Sequence, residues 1–212
     1  MYALDQNAAR KADSTGNQIK EIGKYVGKFT QAEDIVAKTG TKGVALNFES
    51  DAGQKARVSL YTQKSDGSRI MGFASLMAIM TCMGLRNIKP QPGIVKFWDS
   101  ETSKEAERHG SVFPELCVKS IGLLLETEEY EKQDGSLANR MVLAGVFQAE
   151  DEFTASEILD RKTKPDHLEK MVSRLHHRPL KGAKKTISPA TYGGDGGYDD
   201  RSSSVGMDEI PF

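Results

Sequence analysis

The sequence predicts a mainly antiparallel β protein with one buried helix, of the all-β to α+β class. Three observations lead to this class. Apolar and polar residues alternate in several short runs, which is typical of strands with one buried face. Gly, Asp, Asn and Ser separate these runs at hairpin spacing. One longer run, Arg69 to Gly84, is apolar around most of its circumference, which indicates a buried helix.

A three-stranded meander is predicted first. Its first strand, Ile22 to Thr30, mixes aromatic and β-branched residues with lysines, and its two glycines, Gly23 and Gly27, predict a bulge or sharp bend. Strict alternation defines the second strand, Val44 to Phe48, and the third, Ala56 to Tyr61. Turn-forming residues at 38–41 and 50–53 separate the three strands.

The buried helix comes next, with Ser68 as its predicted N-cap and Gly84 as its stop signal. Residues 86–114 then predict a long irregular connection that contains Lys96, Phe97 and Trp98. A connection of this length is more often functional than accidental.

Two further β-prone runs, Leu116 to Thr127 and Asn139 to Gln148, flank a turn at 132–136. The order is therefore three strands, a helix and two strands. This is the order of the OB-fold, a five-stranded Greek-key barrel whose helix lies between strands three and four. We assign this barrel to residues 19–153 and the polar residues 1–18 to a flexible N-terminal arm.

The remaining chain divides into three parts. Residues 154–178 predict a basic helical extension, with capping-box spacing from Thr154 to Glu157 and an apolar stripe from Leu168 to Leu175. Residues 179–206 are dominated by Gly, Ser, Pro and Asp, a composition that favours a disordered linker. Residues 207–212 form a separate short tip.

Charge is segregated along the chain although the formal net charge is only -1. The segment from Arg161 to Lys185 is rich in lysine and arginine, whereas acidic residues dominate after Ser188. A basic segment followed by an acidic tail recurs in proteins that handle polyanions. The alternative interpretation is solvated charge with no binding role.

Cysteine usage and hydropathy predict a cytoplasmic protein without membrane contact. Cys82 and Cys117 stand apart in apolar contexts, which indicates small core residues in a reducing compartment rather than a disulfide or a zinc site. The most apolar run, Ile70 to Leu85, is shorter than the ~20 residues that a membrane-spanning helix needs. No apolar signal-peptide core is present near the start of the sequence.

The sequence predicts no enzyme, no cofactor and no metal site. The histidines are not spaced as a ligand set, and no nucleophile lies in a pattern with a base. The carboxylates between Glu126 and Glu131 are compatible with a metal-dependent nuclease, but we interpret them as a solvated acidic loop. The glycines of 193–197 lack the lysine and following helix of a phosphate loop, which indicates a flexible spacer.

The tip combines an acidic pair, Asp208 and Glu209, with the apolar sequence Ile210, Pro211, Phe212. It resembles the C-terminal tip of bacterial single-stranded DNA-binding proteins, in which several Asp residues precede Ile-Pro-Phe, although the acidic run here is shorter. The resemblance implies a docking peptide whose Phe ring enters an apolar pocket on a partner, whose carboxylate meets a basic residue and whose acidic residues lie along a basic ridge. One aromatic anchor and complementary charge suit such a linear motif.

The barrel segment from Gly23 to Val44 is more similar to single-stranded DNA-binding proteins of tailed bacteriophages than to the bacterial housekeeping protein. This resemblance covers roughly residues 20–150. It implies a phage-encoded protein that coats exposed DNA strands during replication, recombination or repair, and that recruits host or phage DNA-metabolism enzymes through its tip. The connection at 86–114 and the basic helix at 165–178 depart from the bacterial family, so a homo-oligomer is an open expectation.

A protein that coats single strands needs aromatic faces for bases and cations for phosphates. The candidate DNA-binding residues are Lys24, Lys28, Lys42, Lys55, Arg57, Tyr61, Lys64, Arg69, Lys96 and Trp98. Tyr61 is either a stacking platform or an ordinary exposed aromatic, and Trp98 either stacks bases or pins the long connection to the barrel. Any single lysine is as readily explained by solubility, so the prediction depends on the set.

We therefore expect a non-catalytic protein that binds single-stranded DNA with little sequence preference. One alternative is a strand-annealing recombination protein that forms rings or filaments. Another is an adaptor whose barrel binds protein.

Overall fold

The computed structural model describes residues 17–99, 102, 104–132 and 134–180. Its strands are β1 (Gly23–Val36), β2 (Lys42–Ser50), β3 (Lys55–Gln63), β4 (Gln91–Asp99), β5 (Lys104–Val112), β6 (Ser120–Glu131) and β7 (Leu137–Phe147). Its helices are α1 (Met71–Cys82), α2 (Ala155–Leu159) and α3 (Leu168–Val172), and a 3₁₀ turn spans Pro114–Cys117. Most of the predicted arm and linker, and the whole predicted tip, lie outside the described residues.

Every strand pairs antiparallel in one sheet, with β1 at its centre. The first half of β1 pairs with β6, and β2 pairs with β1 from Gly27 to Val36. The ladder thus runs β3-β2-β1-β6-β7. The β4–β5 hairpin has one backbone-paired position with β1, where Glu33 lies opposite Val112. Strands β3 and β7 have Cα atoms within 8 Å of each other. The described chain is therefore mostly antiparallel β with few helices, as the sequence predicts.

The main core lies on one face of this sheet and under α1. Alternation directs Phe48 of β2 and Val58 of β3 inward, where both are buried, and Phe48 meets Phe29 edge to face with ring centroids 6.0 Å apart. From α1, Ile79 is fully buried against the same cluster. The predicted core assignment of Phe48 is confirmed. Cys82 is also buried in this cluster, and Cys117 packs against it.

The predicted irregular connection at 86–114 is wrong, because most of it forms the β4–β5 hairpin. The error has a physical reason: β5 reads Lys-Glu-Ala-Glu-Arg-His-Gly-Ser-Val and has no apolar alternation. Its strand conformation instead comes from pairing with β4, whose Lys96 lies 3.6 Å from the carboxylates of both Glu105 and Glu107 on β5. Opposite charges on facing strands stabilise such a pair.

Strand β1 is longer than predicted, and its irregularity lies elsewhere. The register with β2 shifts between Phe29 and Gln31, not at Gly23 or Gly27. Gly27 serves a different purpose, since a Cβ there would lie 2.1 Å from the carbonyl oxygen of Glu49. The glycine lets β2 approach the backbone of β1 closely.

Helix α1 begins at Met71, three residues after the predicted cap Ser68. Its N-cap is Ile70, which makes no side-chain cap hydrogen bond, so the predicted role of Ser68 is wrong. Gly84 follows the helix with φ +65°, the left-handed conformation that favours glycine at a helix end. Among the described residues, no helix is long and apolar enough to cross a membrane.

The C-terminal extension is less helical than predicted, because α2 and α3 are single short helices separated by a loop. The predicted capping box is present at α2, where Thr154 and Glu157 bond reciprocally. The apolar stripe packs on the outer face of the sheet: Leu168 joins Leu124 and Phe147 in a second, smaller core. Leu124 is fully buried on this outer face while its neighbours Leu123 and Leu125 are buried in the main core, so β6 is covered on both faces.

Candidate nucleic-acid interface

A groove of about 1020 Å³ runs along β1, β2 and β3, and Ile19, Phe48 and Ala56 of the main core are among the residues that line it. Its walls come from β2 and β3, from the β4–β5 hairpin, and from β6 and β7. The cationic side chains that line it are Lys20, Lys55, Arg57, Lys96 and Arg140. Three aromatic residues line the same groove: Phe48, which is buried, Phe97, which is half-buried, and Trp98, which is exposed. Cations and exposed aromatic rings in one concave surface are the components that single-stranded nucleic acid requires.

The bulge in β1 determines where the hairpin lies. Phe29 and Ala32 are both buried in the main core although they lie three positions apart, because the extra residue between Phe29 and Gln31 changes the alternation. Gln31 and Glu33 consequently point to the opposite face, towards the hairpin. The Gln31 side chain accepts a 2.8 Å hydrogen bond from the Lys96 backbone N–H and donates a 3.2 Å hydrogen bond to the Lys96 carbonyl. A bulge that re-aims side chains in this way is a common device beside binding sites.

Glu33 provides a second side-chain contact between β1 and the hairpin, in addition to that of Gln31. Its carboxylate, 3% exposed, receives a hydrogen bond from Arg108 of β5 on Oε1 and lies 3.5 Å from Arg57 of β3 on Oε2. The two arginine side chains are themselves about half exposed. A buried carboxylate is costly unless it is paired, and here it is paired with cations from two different elements.

Most other cations of the groove make exposed ion pairs. Lys55 lies 3.7 Å from Glu49, and Lys96 faces the two glutamates of β5. Arg140 donates to Glu128 at 2.8 and 2.6 Å and lies 5.5 Å from the centre of the Tyr130 ring. Exposed pairs contribute only about 0–1 kcal/mol. Such cations can therefore exchange their carboxylate partners for phosphates at small cost.

Trp98 is the most exposed aromatic side chain of the groove, at 68%. On the same face of β4, Ile94 is 57% exposed. Phe97 is half-buried and lies 6.0 Å from the Arg108 guanidinium. Trp98 lies on a strand that other contacts hold in place, so the interpretation that it pins a loose connection has lost its basis.

The groove collects part of the predicted set. It brings together Lys55, Arg57, Lys96 and Trp98. Six predicted residues lie outside it: Lys24, Lys28, Lys42, Tyr61, Lys64 and Arg69. Lys28 is closest to it in the sheet, as the ladder partner of groove-lining Glu49. Tyr61 is 42% exposed at the end of β3, where α1 begins beside it.

Two of the outlying residues have packing roles. Lys24 makes a 2.6 Å ion pair with Glu152 and lies 5.6 Å from the centre of the Phe147 ring, where it covers the second core. Arg69 lies 4.2 Å from the centre of the Phe73 ring. These contacts account for the two cations without a nucleic-acid ligand.

Sequence reasoning missed Lys20, Arg108 and Arg140. Arg140 carried the one usable signal, because it falls within the predicted fifth strand as an isolated cation. Arg108 carried none, since its importance depends on Glu33 in a distant part of the chain.

The acidic residues of β6 have cationic partners. They were predicted to form a solvated loop, but Glu126 is buried and lies 2.5 Å from Arg178. Glu128 pairs with Arg140, and Glu129 lies 3.5 Å from His177. Within the described ranges, no three His, Cys, Asp or Glu side chains are grouped as a metal site would require. Hydrogen bonds from the backbone of residues 176 and 180 to the Glu126 and Glu129 carboxylates, together with backbone pairing of Arg178, hold this segment beside β6.

The predicted partner-binding residues, Asp208, Glu209, Ile210, Pro211 and Phe212, lie outside the described residues. Comparison of the sequence with protein-family models and with curated proteins gives no match. The function must therefore be argued from the groove itself, because a fold alone does not define a function.

Proposed function

We propose that this chain is a non-catalytic, OB-type protein of the cytoplasm that binds single-stranded DNA in the groove. In this proposal β1, β2, β3, β6 and β7 are the five barrel strands, closed between β3 and β7, and the β4–β5 hairpin is an insertion after the helix. The ladder order β3-β2-β1-β6-β7 and the proximity of β3 to β7 support this assignment.

The observation that carries the proposal is the position of Trp98 among cations. A largely exposed indole lies in one groove with Lys55, Arg57, Lys96 and Arg140. An exposed indole offers its face to any base, and flexible cations follow any backbone, so binding depends little on sequence. This arrangement suits a protein that coats and protects exposed strands during DNA replication, recombination or repair, in a phage-infected cell or in another host.

The exposed ion pairs predict how binding responds to salt. Each phosphate contact releases counterions and adds about 0.7 to the slope of log Kd against log salt for a single strand. If three or four groove cations meet phosphates, the total slope is about 2–3. Stacking on Trp98 supplies a further part of the affinity that salt does not weaken.

The experiment uses Trp98 as its own reporter, because it is the single tryptophan of the chain. Titration with oligo-dT should quench or shift its fluorescence to saturation, and the matched duplex should produce little change at moderate salt. Equal responses to single-stranded and duplex DNA, or no response to either, would contradict the proposal.

We further propose that residues 207–212 dock onto DNA-metabolism proteins. The support is the sequence itself: an acidic pair followed by one apolar and one aromatic anchor. Deletion of Ile210, Pro211 and Phe212 should abolish capture of replication or recombination proteins and leave oligo-dT affinity unchanged or improved. A matched control replaces Ser202, Ser203 and Ser204 with alanine, which should leave capture intact. Loss of DNA binding on the tip deletion would count against this role.

A further inference from the structure

Two arginines from different strands share one buried carboxylate beside the groove. Arg108 of β5 contacts one oxygen of Glu33, and Arg57 of β3 contacts the other only as an ion pair at 3.5 Å. The Arg57 side chain is 49% exposed and that of Arg108 is 55% exposed. Each guanidinium carries five N–H donors, more than a shared carboxylate can accept. Donors therefore remain for a ligand at the solvent side.

Arg57 lines the groove and Arg108 lies beside it, and their charge balance distinguishes this cluster from the other cations that line the groove. Lys55 faces one carboxylate, Arg140 faces one, and Lys96 faces two. At Glu33 the ratio is reversed, with two cations for one anion. Positive charge that nearby carboxylates do not neutralise attracts an incoming phosphate.

Burial of Glu33 gives this excess charge a fixed position. The carboxylate is held in β1 immediately after the bulge, so the two guanidiniums converge at one point although β3 and β5 are far apart in sequence. The Arg108 guanidinium also lies 6.0 Å from the centre of the Phe97 ring, and Phe97 lines the groove. Convergent arginines with oriented donors are well suited to bind phosphate oxygens in pairs.

We propose that Arg57 and Arg108, positioned by Glu33, form a seat for one phosphate of the bound strand, and that this is the strongest single phosphate contact of the groove. The inference rests on the proposed function and adds a residue, Arg108, that the sequence did not indicate. It also assigns a role to the hairpin, because β5 carries Arg108 and β4 carries Trp98, which stacks on the adjacent base.

The test measures oligo-dT affinity by anisotropy over a series of salt concentrations for wild type, Arg108→Ala, Arg108→Lys and Arg86→Ala. Arg86 is an exposed arginine outside the groove and is the charge-matched control. Arg108→Ala should lower the salt slope by about 0.7 and weaken binding at least tenfold at low salt. Arg86→Ala should change neither quantity beyond a small uniform effect.

Arg108→Lys keeps the positive charge and the pairing with Glu33, so it retains the fold if Arg108→Ala does not. It should preserve the salt slope but weaken binding severalfold, because an ammonium group cannot bind two phosphate oxygens in the fork geometry of arginine. A purely structural role for Arg108 would lower the melting temperature and leave the slope of the folded protein unchanged.

The outcomes separate the two proposals. If wild type fails to bind oligo-dT, the proposed function is wrong. If wild type binds, but folded Arg108→Ala shows the slope and affinity of Arg86→Ala, or Arg108→Lys binds as tightly as wild type, the phosphate seat alone is refuted.

Discussion

Replacement of Trp98 by alanine separates base stacking from electrostatics in the groove. Trp98 is 68% exposed in the free protein, so its ring contributes little to the free energy of folding. Its removal should therefore leave thermal stability nearly unchanged. The effect of the substitution on binding can then be attributed to the contact with DNA.

The magnitude follows from the area that a base can cover. If stacking covers about 100 Å² of the indole, burial at roughly 25 cal/mol per Å² contributes about 2.5 kcal/mol. This value falls within the range of about 1–3 kcal/mol per base found for aromatic stacking. Trp98→Ala should accordingly raise Kd for oligo-dT by about 5-fold to 150-fold. The slope of log Kd against log salt should not change, because the substitution removes no charge.

The assay is anisotropy of a labelled oligo-dT, since the variant lacks the fluorescent residue. Ile94→Ala is the matched control: it removes a side chain that is 57% exposed on the same face of the same strand, outside the groove. It should bind as wild type does. If Trp98→Ala binds within twofold of Ile94→Ala, the stacking role is refuted and a protein-binding use of the hairpin gains support.

Three further predictions concern the fold. Gly122→Ala should destabilise the protein by about 1–3 kcal/mol in urea unfolding, because the new Cβ would lie 2.1 Å from the buried Phe147 ring, and Phe147→Leu in the same chain should recover part of the loss. Burial favours the neutral form of Glu157. Hydrogen bonds from the Thr154 backbone and hydroxyl and from the backbone of His167 and Asp166 outweigh this effect and lower the pKa of Glu157 to about 2. Since the pKa is depressed in the fold, stability should be lost as pH falls from the ordinary value of 4.5 towards 2, and Glu157→Gln should lack this part of the acid response. Burial raises the pKa of the Cys82 thiol to about 11, so a disulfide reagent near pH 8 should label Cys82 only at the rate at which the fold opens, and fast labelling of native protein would refute its burial.

The meander and the last two strands could be predicted because their strands bury one face or both in apolar cores. The burial of β3 alternates strictly from Ala56 to Leu60, as its sequence does. In β2 the large apolar residues Val44, Leu46 and Phe48 are buried as the alternation predicts, but Ala45 between them is buried as well. The run at Leu123–Leu125 does not alternate, since α3 covers the outer face of β6 and Leu124 is buried there. The β4–β5 hairpin could not be predicted in the same way. The hairpin is held by backbone pairing between β4 and β5 and by two side chains of β1, Gln31 and Glu33, and these contacts leave no periodic pattern in the sequence.

The candidate site was predicted where a residue signals its role by type and strand position. Lys55 and Arg57 alternate outward on β3, and Trp98 belongs to the short run Lys96-Phe97-Trp98, which combines a cation with two aromatic residues. Glu33 could not be recognised, because its neighbours on both sides gave no sign of the bulge that turns it towards Arg57 and Arg108. Long-range convergence of this kind is visible only once the register of β1 is known.

Two additions cover parts of the sheet, and one of them forms a wall of the groove. The C-terminal extension covers one part, where Leu168 packs on Leu124 and Phe147, and Lys24 closes its margin. The hairpin stands over another part, attached to the second half of β1 by Gln31 and Glu33. The groove lies beside the hairpin, which lines it with Lys96, Phe97, Trp98 and Glu105. Because Gln31 and Glu33 both follow the bulge, a change in the β1 register would move the side chains that hold the hairpin, and with them one wall of the groove. The bulge after Phe29 is therefore the structural feature on which both the shape and the charge of the candidate interface depend.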